Sequence, residues 1–237
     1  GGGALRLLAE FLKEHRPAEL YHSDPTWGNH PCIFEKVGIP TVKTYRYYHK
    51  ETRGLDFEGM MEDLGNAAEG SCIMFHTCAH NPTGVDPSFE QWKQIAEVCK
   101  ARKLYPFFDT AYQGFVTGDL GKDGAALRYF VDQGFEMCIA QSFAKILGVY
   151  GERIGACHFI TGSKEVATAV LSQLKASIRV NWSSPPLHGG RIAALILNNL
   201  DRRDSWLKEL VLVTGRIAKM RIELKKELDA NKCPGTW

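Results

Sequence analysis

Short apolar runs, each closing on a polar or turn-forming residue, alternate along this chain with segments of helical periodicity, and that alternation restricts the fold more than any single residue does. Strands are expected near residues 20–22, 41–47, 72–75, 105–108, 137–140 and 156–160, with helices over 29–37, 56–64, 88–102 and 125–132 between them. The helix at 88–102 opens with a capping box, Ser88 followed by Gln91, just after Pro87. Strands separated by helices argue for an α/β fold, a mainly parallel sheet with helices on both faces. After Gly162 the pattern turns helical, over 164–178, 187–197 and a long amphipathic stretch at 203–228. Residues 1–200 are therefore expected to form one large sheet domain, and 201–237 a long helix leading to a small domain beyond the chain.

A length of 237 residues suffices for one large domain with a buried core, and the formal net charge of +2 gives no reason to expect nucleic acid or a membrane surface as partner. No apolar stretch approaches the roughly 20 residues needed to span a bilayer. The 7 cysteines are odd in number and contain no Cys-x-x-Cys pair, which suggests free thiols in a reducing compartment. His76-x-Cys78-x-His80 has no second cluster to complete a metal site, so no metal is expected. The opening Gly1-Gly2-Gly3, without a methionine or a charged leader, reads as the interior of a longer protein.

Ligands of open α/β sheets gather beyond the carboxyl ends of strands. The run Tyr105-Pro106-Phe107-Phe108 ends on Asp109, with Tyr112 close behind, and 137–140 ends just before Ser142, with Lys145 and Arg153 following. Amine, carboxylate, phenol and phosphate clamp thus lie in one region, the set that a Schiff base with pyridoxal 5'-phosphate requires. Lysine supplies the amine, Asp109 can face a protonated ring nitrogen, and Ser142 with Arg153 can hold a phosphate. By composition alone Lys145 also suits a solvated surface and Asp109 a simple strand end. Trp27, in a turn-rich loop, can stack on a flat ring or pack in the core, and His30 can orient Asp109 or serve structure alone. Asn81, in Asn81-Pro82-Thr83-Gly84 after the strand at 72–75, suits an ordinary turn or a donor to a phenolate oxygen. Gly1 to Gly3 suit either a phosphate-holding helix N-terminus or a flexible chain end. Arg179, expected in a break between helices, is a solvated charge or one half of a carboxylate clamp.

Taken together, Ser23-Asp24-Pro25-Thr26-Trp27-Gly28-Asn29-His30, the stretch 76–87, Phe107-Phe108-Asp109-Thr110-Ala111-Tyr112-Gln113-Gly114-Phe115, the stretch 141–155 and Ser184-Pro185-Pro186 resemble the aspartate aminotransferase family, fold type I of the pyridoxal phosphate enzymes. The resemblance covers essentially the whole chain as the family's large domain. It implies that Lys145 carries the internal aldimine and shuttles a proton, with Asp109 on the ring nitrogen, His30 supporting it and Trp27 stacked on the ring. Asn81 and Tyr112 would bind the phenolic oxygen with His76 packed nearby, and Gly1, Gly2, Ser142 and Arg153 would surround the phosphate. Trp27, Asn81 and Arg179 would meet the substrate, Arg179 by reaching into the neighbouring subunit of a homodimer. The implied reaction converts L-aspartate and 2-oxoglutarate into oxaloacetate and L-glutamate, in the cytoplasm or the mitochondrial matrix. The alternatives are a non-catalytic scaffold, with the activity of the fragment lost, or aromatic transamination.

The sequence also departs from the family. Gly1-Gly2-Gly3 stands where the family has Gly-Thr-Gly, so a phosphate-binding threonine is replaced by Gly2 and the serine that precedes the motif is not in the chain. Ile146 replaces an asparagine and Ser184 another. The family's N-terminal arm, and the small domain with the arginine for the substrate α-carboxylate, lie outside this sequence.

Overall fold

The computed structural model describes residues 1–235; Thr236 and Trp237, the end of the expected C-terminal turn, lie outside it. In chain order the elements are α1 (Gly2–His15), β1 (Leu20–Asp24), α2 (Asn29–Val37), β2 (Val42–Arg46), β3 (Tyr48–His49), β4 (Gly54–Leu55), α3 (Phe57–Asn66), β5 (Cys72–His76), α4 (Phe89–Ala101) and β6 (Tyr105–Thr110). There follow α5 (Leu120–Asp123), α6 (Ala125–Asp132), β7 (Met137–Ser142), β8 (Gly155–Ile160), α7 (Lys164–Trp182), α8 (His188–Leu197) and α9 (Leu200–Ala230). The main sheet runs β2-β1-β5-β6-β7-β8, parallel throughout except for β8, which pairs antiparallel with β7. The expected α/β architecture is the one observed.

Helices cover both faces because the central strands are apolar on both sides, the pattern of a buried parallel strand. Along β6 successive residues go to opposite faces. Phe108 joins Phe75, Trp92, Ile95 and Phe130 beneath α3, α4 and α6, while Phe107 joins Met74, Leu5, Leu8 and Phe34 beneath α1 and α2. Each fully buried Phe or Leu in these clusters contributes about 1.5–3 kcal/mol of transfer free energy. The capping box at Ser88 forms as expected, Gln91 N–H donating to Ser88 Oγ at 3.2 Å and Ser88 N–H to Gln91 Oε1 at 2.8 Å.

The sequence reading misplaces several boundaries. The expected strand at 41–47 ends at Arg46, and the β3–β4 hairpin beyond it has strands too short to show a period. α7 continues to Trp182, so Arg179 sits in the last turn of a helix and not in a break. α9 starts at Leu200 under an Asn199 cap and runs 31 residues, about 46 Å at 1.5 Å per residue. α9 buries only Leu210 and Thr214, packed against Gly114 and Gly118 of the loop after β6. Both glycines have positive φ, and a Cβ at Gly114 would lie 2.6 Å from Leu210 Cδ2, so this close approach requires glycine.

Candidate active site

β1, β5, β6 and β7 run parallel and side by side, so their carboxyl ends open onto one place. The loop after β1 brings Trp27, the one after β5 brings Asn81, the end of β6 brings Asp109 with Tyr112 just beyond, and the end of β7 brings Ser142 and Lys145. Arg153 arrives differently. Because β8 is antiparallel, its first residue, Gly155, pairs with Ser142, the last of β7, and the chain just before β8 is returned to the same edge. Arg153 adopts φ 51° there, and its Nη1 donates to the Tyr150 carbonyl at 2.9 Å. Gly1, Gly2, Trp27, His76, Asn81, Asp109, Tyr112, Ser142, Lys145 and Arg153 all line one cavity of about 310 Å³.

Asp109 is buried beside His30, whose Nε2 donates to Oδ2 at 3.0 Å. Burial is the largest influence and opposes its charge, but the hydrogen bond from His30 together with the neighbouring positive charges outweighs it and holds the carboxyl below its usual range. An ionised carboxylate only accepts, which orients every partner behind it. In the neutral tautomer that donates to Asp109, His30 Nδ1 accepts from Thr26 Oγ1 at 2.8 Å, Thr26 accepts from His76 Nε2 at 3.2 Å, and His76 Nδ1 accepts from the Asn81 backbone N–H at 3.4 Å. Thr26 is the link the sequence reading missed; only its place inside the 23–30 motif marked it. Burial lowers His76 to about 4, with Asp109 opposing, so it is uncharged near neutrality.

The second carboxylate oxygen, Oδ1 of Asp109, is buried and has no hydrogen-bond partner. A buried anionic oxygen without a donor is costly, so this one is placed for a cationic N–H entering from the cavity. Across the cavity the Lys145 Nζ lies 4.6 Å from the centre of the Tyr112 ring. Burial, then the negative charge of Asp109, raises the Tyr112 hydroxyl above its usual pKa while Asn81 bonds to it, so Tyr112 remains a donor at neutral pH. His30 lies behind Asp109 and not on the cavity wall. Arg179 is also outside it, exposed, with Nη1 2.5 Å from Ser183 Oγ. No group of side chains that could hold a metal occurs among the described residues. A more open cleft of about 560 Å³ lies on the other side of the Lys145 loop, against α9, where Trp206 Nε1 donates to the Ile146 carbonyl at 2.9 Å. Its one carboxylate is the Glu209 side chain on α9, and it lacks the phenol and amide that line the smaller cavity.

A sequence model of the family "Aminotransferase class I and II" matches residues 1–236. The chain belongs to this family of aminotransferases. It is 50% identical to aspartate aminotransferase 1 of Medicago sativa over 238 residues, covering 100% of this chain and 57% of that protein. Aspartate aminotransferase of Trypanosoma cruzi superimposes with a TM-score of 0.94 at 43% identity, over 100% of this chain and 61% of that one. An aromatic-amino-acid aminotransferase of Burkholderia pseudomallei, covalently bound to pyridoxal phosphate, superimposes with a TM-score of 0.95 at 43% identity, over 99% and 59% of the two chains. The chain thus spans somewhat over half the length of the relatives it matches, which include chloroplastic and cytoplasmic enzymes. Aminotransferases of this family use pyridoxal phosphate. None of the helices described is long and apolar enough to cross a membrane.

The buried histidines give this chain an acid sensitivity of known sign. Burial lowers His76 from 6.5 to about 4 and His80 to about 2. Between these values and 6.5 the unfolded chain binds protons that the folded chain refuses, so stability falls as pH falls. The expected slope is on the order of 1.4 kcal/mol per pH unit for each histidine. Urea unfolding at pH 7.5, 6.0 and 5.0 should show little change above pH 6.5 and a progressive loss below it. A midpoint independent of pH from 6.5 to 5 would contradict this burial.

Proposed function

We propose that the full-length protein carrying this chain is a pyridoxal phosphate-dependent aspartate aminotransferase, exchanging amino groups between L-aspartate and 2-oxoglutarate. The observation that carries the reading is the unpaired, buried Oδ1 of Asp109, a residue that lines one cavity together with Lys145. The donor set fits the cofactor: a carboxylate for a protonated ring nitrogen, two donors for a phenolic oxygen and a hydroxyl with a guanidinium for a phosphate. When bound, pyridoxal phosphate supplies an electron sink for the charge left on the substrate Cα as its proton departs.

The residues divide that work. Lys145 anchors the cofactor through its amine and moves the proton at the substrate Cα. Asp109, kept ionised by His30, holds the proton on the ring nitrogen. Asn81 and Tyr112 donate to the phenolic oxygen, Trp27 covers the ring, and Ser142 and Arg153 hold the phosphate beside Gly1 and Gly2 at the N-terminus of α1, where backbone N–H groups favour an anion. Arg179, exposed and outside its own cavity, suits a role in a neighbouring subunit, gripping the distal carboxylate of a dicarboxylic substrate, and this makes the working unit a homodimer. Residues 1–200 would form the cofactor-binding domain, and α9 would lead from there to a small domain. We place the protein in the cytoplasm or the mitochondrial matrix.

Borohydride reduction of the cofactor-loaded protein should label Lys145 alone, and aspartate with 2-oxoglutarate should yield oxaloacetate. Label spread over surface lysines would sink the reading. The second reading, aromatic transamination, is favoured by the likeness to the B. pseudomallei enzyme; relative rates with aspartate and phenylalanine separate the two.

Gly2 gives a further expected result. A Cβ there meets nothing within 4 Å, so a threonine enters without a clash. Its hydroxyl would add a hydrogen bond to a charged phosphate, about 1.5 kcal/mol or more, and Gly2→Thr should tighten cofactor binding about tenfold. Fluorescence titration with pyridoxal phosphate measures this; unchanged affinity would place the phosphate elsewhere.

A further inference from the structure

The loop between β5 and α4 carries Asn81, and its internal bonds fix its shape without fixing its position. Asp86 accepts from the Ala79 and His80 N–H groups at 2.6 and 2.9 Å, and Gly84 N–H donates to the His80 carbonyl at 2.7 Å. Ala79 is held at φ 49°, a conformation rare for a residue with a side chain. Such a closed loop can rock as a body unless something outside it is bonded to it.

Beside the long bond from the Asn81 N–H to His76 Nδ1 at 3.4 Å, the His80 side chain makes such an external bond. It is 1% exposed, and both ring nitrogens are engaged: Nδ1 with Thr83 Oγ1 inside the loop at 2.8 Å, and Nε2 with Ser23 Oγ on β1 at 2.9 Å. Its face stacks on Tyr47 with centroids 3.8 Å apart and planes 17° apart, and His76 lies against it at 4.3 Å. The Tyr47 hydroxyl donates to the Val85 carbonyl of the same loop at 2.7 Å. Asn81 follows His80 directly. We propose that His80 is a positioning residue for Asn81, tying the loop to β1 through Ser23 so that the Asn81 amide stays at the phenolic oxygen of the cofactor. The inference rests on the cofactor reading above.

Burial, then the neighbouring histidines, lowers His80 to about 2, so in the working range it acts as a neutral strut and carries no proton. A donor at the phenolic oxygen stabilises negative charge there and so favours loss of the proton shared with the nitrogen of Lys145. Releasing Asn81 should therefore raise the pH at which the visible band of the bound cofactor changes. The charged and titratable groups that line the cavity around Lys145 are His76, Asp109, Tyr112, Tyr150 and Arg153, and of these His76 lies against His80.

The test uses the full-length protein loaded with pyridoxal phosphate and follows its visible absorbance against pH. His80→Phe keeps a flat ring on Tyr47 but removes both hydrogen bonds, and it should move the midpoint up by about one pH unit. Ser23→Ala, a small change that leaves His80 in place, should move it in the same direction, while His80→Gln, which keeps a donor, should restore most of the wild-type value. A folded His80→Phe protein with an unchanged midpoint overturns the inference, even if it unfolds more readily. Should His80→Phe not fold, an unchanged midpoint in Ser23→Ala overturns it. If the wild-type protein forms no such band, the cofactor reading fails and takes this inference with it.

Discussion

Replacing Lys145 by alanine in the cofactor-loaded full-length protein is expected to lower transamination by about 10⁴-fold or more, the upper range for removing a positioned proton-transfer group. The same change removes the borohydride label. On the proposed function the rate would fall this far because one amine would both anchor the cofactor and move the Cα proton. Tyr112, whose ring lies 4.6 Å from Nζ, remains protonated near neutrality and is a poor base, and no second lysine lines the cavity. Folding should be unaffected, since truncating a side chain on the wall of an open cavity leaves no void in either core cluster. Circular dichroism matching wild type, together with a lost label, separates chemistry from unfolding. Residual turnover within tenfold of wild type would remove Lys145 from the mechanism.

The second large effect is expected at Asp109. Asp109→Asn preserves size but removes the charge that a protonated ring nitrogen would face. Leaving a buried cation without its partner costs about 3–5 kcal/mol, which corresponds to a loss of about 10²–10⁴-fold in kcat. The neutral amide would also turn either its oxygen or its NH₂ towards His30, and the ordered chain through Thr26 and His76 to Asn81 would lose the acceptor that directs it. Asp109→Glu should retain more activity than Asp109→Asn if charge is what matters. Equal loss in both would mean that geometry at Oδ1 dominates. An unchanged kcat in Asp109→Asn would break the link between the unpaired oxygen and the cofactor.

Much of the sheet was legible because its strands are apolar on both faces and end on chemistry. Phe107 and Phe108 feed opposite cores, which any buried parallel strand requires, and Asp109 then breaks the run just where the strand leaves the core. The α4 start was legible because a capping box is a local device. Hidden from the sequence were the elements whose bounds depend on neighbours. Arg179 was expected in a break between helices, in the stretch that runs on to Pro185 and Pro186, yet the helix continues to Trp182 before Ser183 turns away. The β3–β4 hairpin has strands of two residues, too short for any periodicity.

The site divides in the same way. Residue types at strand ends were enough to nominate Lys145, Asp109, Tyr112, Asn81 and Ser142. Thr26, Ser23 and His80 were not legible as parts of one network, because hydroxyls and histidines acquire partners only when separate loops meet. By itself the sequence determined the alternating α/β order and the chemical inventory, since both follow from local periodicity and side-chain type. The tertiary structure alone decided which oxygen of Asp109 is left without a partner, that the antiparallel β8 returns Arg153 to Ser142, and that Arg179 stays outside. Each of these depends on how separate elements meet in space, β7 against β8, His30 of α2 against Asp109 of β6, and the end of α7 against Ser183, and local sequence does not carry that pairing.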